Sequence, residues 1–331
     1  MTHNRVAPRP GLGYFIVPPV GIDPATNYET VVDVAVRADE LGYDSIWLAE
    51  GHVSTIGLPS SLTFLAALSQ RTHRARLGTA VISIALENPI TLAEAAAVVN
   101  VLSGDRLELG VGKGNKGGRS SASYEAFQVS ERERDTLFRE AIARFRDVLG
   151  GRLGDDALEL YPPQAQLRGR LWQATSKPET AREAGVVGDG LQLHRNATGG
   201  KPGDVQSALI DEYLNAYDAA APPRIAVSRV VFPARSDTEA ITLLERHLER
   251  QPERFPRISA GQDLRDYLAS SNIAYGSVDQ IVDTLHADAA VVRSTDILFS
   301  QALPLDAPEY LEGQERIANE VFPLIERSAA A

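Results

Sequence analysis

RLGTAVISIALENPITLAEAAAVVNVLSGDRLELGV, residues 76–111, places one helix between two apolar strands. RLGTAVISI (76–84) and RLELGV (106–111) are short, continuous apolar runs, as expected of strands buried on both faces in a parallel sheet. Between them TLAE, Thr91 to Glu94, reads as a capping box, where hydroxyl and carboxylate satisfy orphan N–H groups reciprocally. Gly104 stands where that helix would stop.

The same alternation extends in both directions. LGYFIV (12–17) and DSIWLA (44–49) precede the unit; RLWQA (170–174), GLQLH (190–194), RIAVSRVVF (224–232) and DILFS (296–300) follow it, making eight strands. SERE (130–133), SDTE (236–239) and SVDQ (277–280) repeat the capping pattern. Before the second strand, Val31, Val34, Ala38 and Leu41 recur at helical spacing, and Gly42 follows as a cap; Gly150 would end another helix. Eight strands alternating with helices predict an α/β fold, a (β/α)8 TIM barrel. About sixty residues separate the fourth strand from the fifth and the seventh from the eighth, so insertions are expected there. A doubly wound open sheet is the alternative. Neither a fixed-length repeat nor a low-complexity linker divides the chain, so residues 1–331 read as one domain, with 1–11 as a flexible tail. Barrel active sites lie just beyond the strands' C-terminal ends, which here singles out His52, Glu87, Lys113, Ser176, His194 and Arg195.

Composition excludes several functions. The 331 residues are 44% hydrophobic and carry a formal charge of −11, which argues against nucleic-acid or anionic-membrane partners. Cysteine is absent, so thiolate chemistry and disulfides are excluded. The six histidines form no His-x-His pair, so no metal site is expected. No apolar run reaches the roughly 18 residues of a membrane span, and MTHNRVAPRPGLG does not read as a secretory signal, so a cytoplasmic address is expected.

GVGKGNKGG (110–118) is not a nucleotide P-loop, because Lys113 and Lys116 precede Gly114 and Gly117 where Ser or Thr is required. Nor does a glycine open a helix at once, as a dinucleotide fingerprint needs. Two readings stand: a strand end stripped of side chains so that a flat ligand can approach beside Lys113, or a surface loop.

LGYDSIWLAEGH (41–52), the run from Leu65 to Gly114, and RLWQATSKPETAREAGVVGDGLQLHR (170–195) resemble the bacterial luciferase-like flavin monooxygenase family. The resemblance runs from about residue 12 to residue 195 and resumes at YGSVDQIVDTL (275–285). It implies a barrel that binds reduced FMN, or in one branch a deazaflavin (coenzyme F420), across its C-terminal mouth. Matched positions imply a non-prolyl cis peptide at Thr79–Ala80 beneath the flavin, with Lys113 and Gly114 beside the flavin phosphate. They also imply that Arg134, with Arg132 as its rival, reaches that phosphate. Ser176, Lys177 and Thr180 surround a helix start with Pro178 in its first turn, where free N–H groups and the helix dipole favour an anion. The family often carries Glu-His-His after the second strand; here Gly51 takes the first His position and His52 remains as the catalytic imidazole. His194 is a second catalytic candidate and Arg195 a substrate-pocket residue.

The activity expected is insertion of one oxygen atom from O2 into a small organic substrate. No nicotinamide fingerprint is present, so a separate flavin reductase would supply reduced FMN. The alternatives are an F420-dependent oxidoreductase on the same barrel and a non-catalytic flavin-binding protein. Homodimerisation is expected through the small-residue face of TLAEAAAVVNVL (91–102).

Overall fold

The computed structural model describes residues 9–18, 23–54, 57–114, 118–154, 158–194, 201–250, 256–301 and 307–329. The first half runs β1 (Gly11–Ile16), α1 (Pro24–Glu40), β2 (Ser45–Leu48), α2 (Ser61–Ser69), β3 (Arg76–Thr79), β4 (Ile82–Ser83), α3 (Pro89–Leu102) and β5 (Leu107–Gly112). Next come α4 (Gly118–Ala126), α5 (Arg134–Leu149), β6 (Leu171–Ala174), α6 (Pro178–Val187), β7 (Gly190–Leu193), α7 (Pro202–Ala216) and β8 (Ile225–Pro233). The chain continues through α8 (Asp237–Arg250), α9 (Pro256–Ser259), α10 (Leu264–Ser270), β9 (Ile273–Gly276) and α11 (Val278–His286). It finishes with β10 (Asp296–Ser300), α12 (Ala307–Arg316) and α13 (Phe322–Ala329).

The strands form a closed parallel (β/α)8 barrel in the order β1, β2, β3, β5, β6, β7, β8, β10, with β10 pairing back onto β1. All eight predicted strands are staves of it. Two short strands are additional. β4 resumes the path of β3 and pairs Ile82 with Val111 of β5. β9 pairs with Val230–Pro233, the end of β8 that β10 leaves beyond Ser300. Gly11 belongs to β1, and Arg9 pairs with Asp44 at 3.4 Å; residues 1–8 of the expected tail lie outside the described residues.

The non-prolyl cis peptide joins Ala80 to Val81, one residue later than the Thr79–Ala80 position the resemblance implied. Strand geometry holds through that position: Thr79 pairs with Leu48, its hydroxyl donates to the Gly110 carbonyl at 2.8 Å, and Ala80 N donates to the Leu48 carbonyl at 2.8 Å.

Side chains fill the barrel in layers. Trp47 and Trp172 meet edge to face, 5.5 Å between ring centroids, with Phe15, Ala226 and Leu298 around them. Gly78 and Gly190 make this possible, since a Cβ at either would collide with a tryptophan ring. Toward the strands' N-terminal ends, buried Glu108 accepts from Trp172 Nε1 at 2.7 Å and pairs with Arg76 at 3.2 Å; Arg76 also reaches Asp296 at 2.7 Å. These charges answer one another, as buried ions must.

Helix starts follow local competition. α3 begins at Pro89, one turn before the expected box at Thr91, because Asn88 accepts from Ile90 N and Thr91 N while Pro89 fills the first helical position. Ser130 precedes a 3-10 turn and caps nothing. Ser236 accepts from Glu239 N at 3.1 Å, but the Glu239 carboxylate takes Arg235 N instead of completing the box. Ser277 and Gln280 make the full box at α11.

Candidate active site at the barrel mouth

Alternation along the strands sets the floor of the mouth. Two residues beyond Trp47, Gly78, Gly110 and Trp172 come Ala49, Ala80, Gly112 and Ala174, none with more than a methyl group. A Cβ on Gly112 would stand 3.6 Å from the Ala174 methyl, so the two are neighbours. The glycines of β5 themselves serve the fold. A Cβ at Gly110 would strike the Thr79 carbonyl, and one at Gly112 would lie 2.7 Å from the Val81 side chain. Their bareness lets β5 close on the β3–β4 segment. Gly114 has φ +69°, with Ser120 where a Cβ would go.

On the β2 side of this floor one imidazole nitrogen faces two carboxylates. His52 is buried, its Nε2 3.5 Å from Glu50 Oε1 and 3.9 Å from Glu87 Oε1, with no closer polar partner. Its ring packs edge-on against Phe127, and its carbonyl accepts from Ser123 at 2.8 Å. Glu50 is fixed from behind: Oε2 accepts from the Ser61 hydroxyl at 2.5 Å and from Ser61 N at 3.2 Å. Facing Glu50 raises the His52 pKa above the ordinary imidazole value, against the opposing effect of burial. Glu87 is pushed up by burial first and by the Glu50 charge second. The three groups lie within 4.8 Å of one another, which is also a donor set a divalent cation could use, although it contains no His-x-His pair.

On the β5–β6 side the expected cations converge. Lys113 is buried, and its Nζ donates to Asp135 at 2.6 Å and to Thr180 Oγ1 at 3.0 Å, over the face of Phe138. Lys177 reaches the other oxygen of Asp135 at 3.0 Å. Arg134 opens α5 with only 11% of its side chain exposed; its Nη1 is buried without a hydrogen bond, 3.9 Å from Glu131. Arg132 is exposed, so the geometry prefers Arg134 to its rival. Ser176 is exposed at the α6 entrance, where Lys177 is the cap residue and Thr175 Oγ1 accepts its N–H at 2.9 Å. His194 lies exposed beyond β7, its carbonyl accepting from Gln206; Arg195 lies outside the described residues. The structure thus brings Lys113, Lys177 and Thr180 together around Asp135, with Arg134 next to Asp135 in α5, while Ser176 and His194 are exposed. Asp135 and Glu50 had gone unremarked in the sequence. Nothing in the spacing of Lys113, Asp135 and Lys177 tells that they meet.

A profile of the luciferase-like monooxygenase family matches residues 11–297. The chain belongs to that family. It is 36% identical over 110 residues to 4-hydroxyprotoasukamycin monooxygenase of Streptomyces nodosus subsp. asukaensis, covering 32% of this chain and 30% of that one. It is 31% identical over 179 residues to F420-dependent glucose-6-phosphate dehydrogenase of Mycolicibacterium gilvum, covering 49% of this chain and 52% of that one. These matches therefore span about a third and about half of the relatives' lengths. The oxygenating constituent of 3,6-diketocamphane monooxygenase from Pseudomonas putida, solved with FMN, shares the fold with a TM-score of 0.75 at 19% identity, over 95% of this chain and 98% of that one. The family thus includes both monooxygenases and F420-dependent oxidoreductases. Among the described residues no helix is long and apolar enough to cross a membrane.

Proposed function

We propose that this chain is an FMN-dependent monooxygenase that places one oxygen atom from O2 on a small organic substrate. The observation that carries this reading is the buried Lys113 at the mouth, joined through Asp135 to Lys177, with Arg134 next to Asp135 in α5 and its buried Nη1 without a hydrogen-bond acceptor. Two such cations, with Lys177 and the N-terminus of α6, suit a phosphate monoester. The small side chains of Ala49, Ala80 and Ala174 at this level suit a flat ring system lying over them.

Reduced FMN, when bound, would supply the electrons that activate oxygen. The chain's residues do the rest. Lys113, Lys177 and Arg134 hold the phosphate, and the small floor residues admit the ring. His52, with Glu50 behind it, holds a proton at Nε2 for the oxygen-transfer step. A separate reductase supplies the reduced flavin, since the chain carries no nicotinamide fingerprint.

The similarity to F420-dependent glucose-6-phosphate dehydrogenase favours the second reading, hydride transfer with F420. Titration of the purified protein with each cofactor, followed by oxygen uptake with FMN and a reductase, tests the proposal. Oxygen consumption dependent on reduced FMN is expected; binding of F420 alone would replace the first reading by the second.

Homodimerisation through α3 also belongs to this proposal, with the surface reassigned. Ala93, Ala96 and Ala97 are buried in this chain, so the small-residue face expected to meet a partner is occupied. The exposed apolar side chains of α3 are Ile90, Val98, Val101 and Leu102, with Thr91 and Glu94 also exposed.

A further inference from the structure

The cation cluster at the β5–β6 side is already answered by a carboxylate of the chain itself. Asp135 sits in the first turn of α5 and takes Lys113 on one oxygen at 2.6 Å and Lys177 on the other at 3.0 Å. The hydroxyl of Thr180 completes the group by accepting from Lys113. Asp135 is 41% exposed, whereas Lys113 is only 7% exposed, so the carboxylate lies on the solvent side of the buried cation. The two lysines hold its carboxyl well below the usual carboxylate range, so it remains charged at any working pH.

Resting on the reading of this cluster as the flavin-phosphate site, we propose that Asp135 is a built-in counter-ion that competes with the phosphate for Lys113 and Lys177, weakening the cofactor's hold so that it is exchanged and not retained. The charge count supports this. Lys113 and Lys177 offer two positive charges, and Asp135 removes one. A phosphate dianion arriving there meets one net positive charge where two lysines converge. It gains the lysines only by sharing or displacing Asp135, and it is repelled by Asp135 at short range. A protein that takes reduced flavin from a reductase and returns it oxidised needs this reversibility.

Asp135→Asn removes the charge and keeps an acceptor for the lysines, so it separates electrostatic competition from a merely structural role. Oxidised FMN, riboflavin and inorganic phosphate are titrated against the full-length wild type, Asp135→Asn and Lys113→Ala, with FMN release followed by stopped flow. Asp135→Asn is expected to tighten FMN by about 10-fold, with slower release, while riboflavin changes by less than about 2-fold. Phosphate should compete with FMN at lower concentration in the variant. If Asp135→Asn leaves FMN affinity unchanged or weakens it, while Lys113→Ala still erases the preference for FMN over riboflavin, Asp135 is a positioning residue and the counter-ion proposal is wrong. If Lys113→Ala also treats FMN and riboflavin as the wild type does, the phosphate reading of the cluster fails and takes the proposal with it.

Discussion

Glu50 presents one carboxylate oxygen to His52 Nε2 at 3.5 Å while Ser61 holds the other oxygen through both its hydroxyl and its backbone N–H. The anion cannot turn away, so it favours the imidazolium, and the His52 pKa is raised. A raised pKa means that the proton's contribution to stability is fully present below the ordinary imidazole value of about 6.5 and is lost as pH rises through the folded-state pKa. If His52 donates that proton, product formation falls over the same upper window. Glu50→Gln should move this fall to lower pH, with little loss at the acidic end. A pH–rate profile that does not move would separate Glu50 from His52.

Replacing His52 itself tests the proton more directly. His52→Ala should leave FMN affinity nearly intact while product formation drops by about 10²–10⁴-fold, the usual size of general acid–base assistance. Hydrogen peroxide should rise in parallel, because oxygen is still consumed. Collapse of FMN affinity would make His52 a binding residue. Loss of wild-type activity on chelation would point to a cation held by Glu50, His52 and Glu87.

Lys113 and Ser176 should now part company. Lys113→Ala removes a buried cation and should weaken FMN, relative to riboflavin, by about 1.5–3 kcal/mol, the range of charge-assisted hydrogen bonds. Ser176 is exposed, so Ser176→Ala should change either ligand little. Titration of both flavins against each variant decides this, and a large effect of Ser176→Ala would return it to the phosphate site.

Packing inside the barrel gives a stability test independent of cofactor. Gly78→Ala pushes a methyl group into the Trp47 ring and should cost about 1–3 kcal/mol or more. Gly169→Ala meets no atom within 4 Å and should be nearly neutral. Denaturant midpoints compare the pair, and equal effects would contradict the layer of two tryptophans.

The exposed apolar side chains of α3 make the proposed dimer breakable. Light scattering at micromolar concentration should give twice the chain mass for the wild type. The double variant Val98→Glu, Val101→Glu should be monomeric, because both side chains are exposed in the single chain. A monomeric wild type would remove the dimer from the proposal.

The eight staves and the barrel were legible in the sequence because parallel strands buried on both faces carry uninterrupted apolar runs, and LELGVG or IAVSRVVF admit few other readings. The mouth followed from the strands, since what stands just after a stave lies near it: His52, Glu87 and Lys113 were found this way, and so were Ser176 and His194, which are exposed. Four things waited for the tertiary structure. α3 is Ala- and Val-rich around most of its circumference, so periodicity could not tell which face meets the barrel. β9 hides in a long interval as four residues whose pairing exists only where β10 leaves β8. Asn88 outcompeted Thr91 for the helix start because a proline follows it. Above all, Asp135 between two lysines and Glu87 near His52 come from segments far from their partners in sequence, whereas Glu50 stands two residues from His52 after β2. Sequence spacing determines what lies on one element; only closing the barrel decides which charges become neighbours.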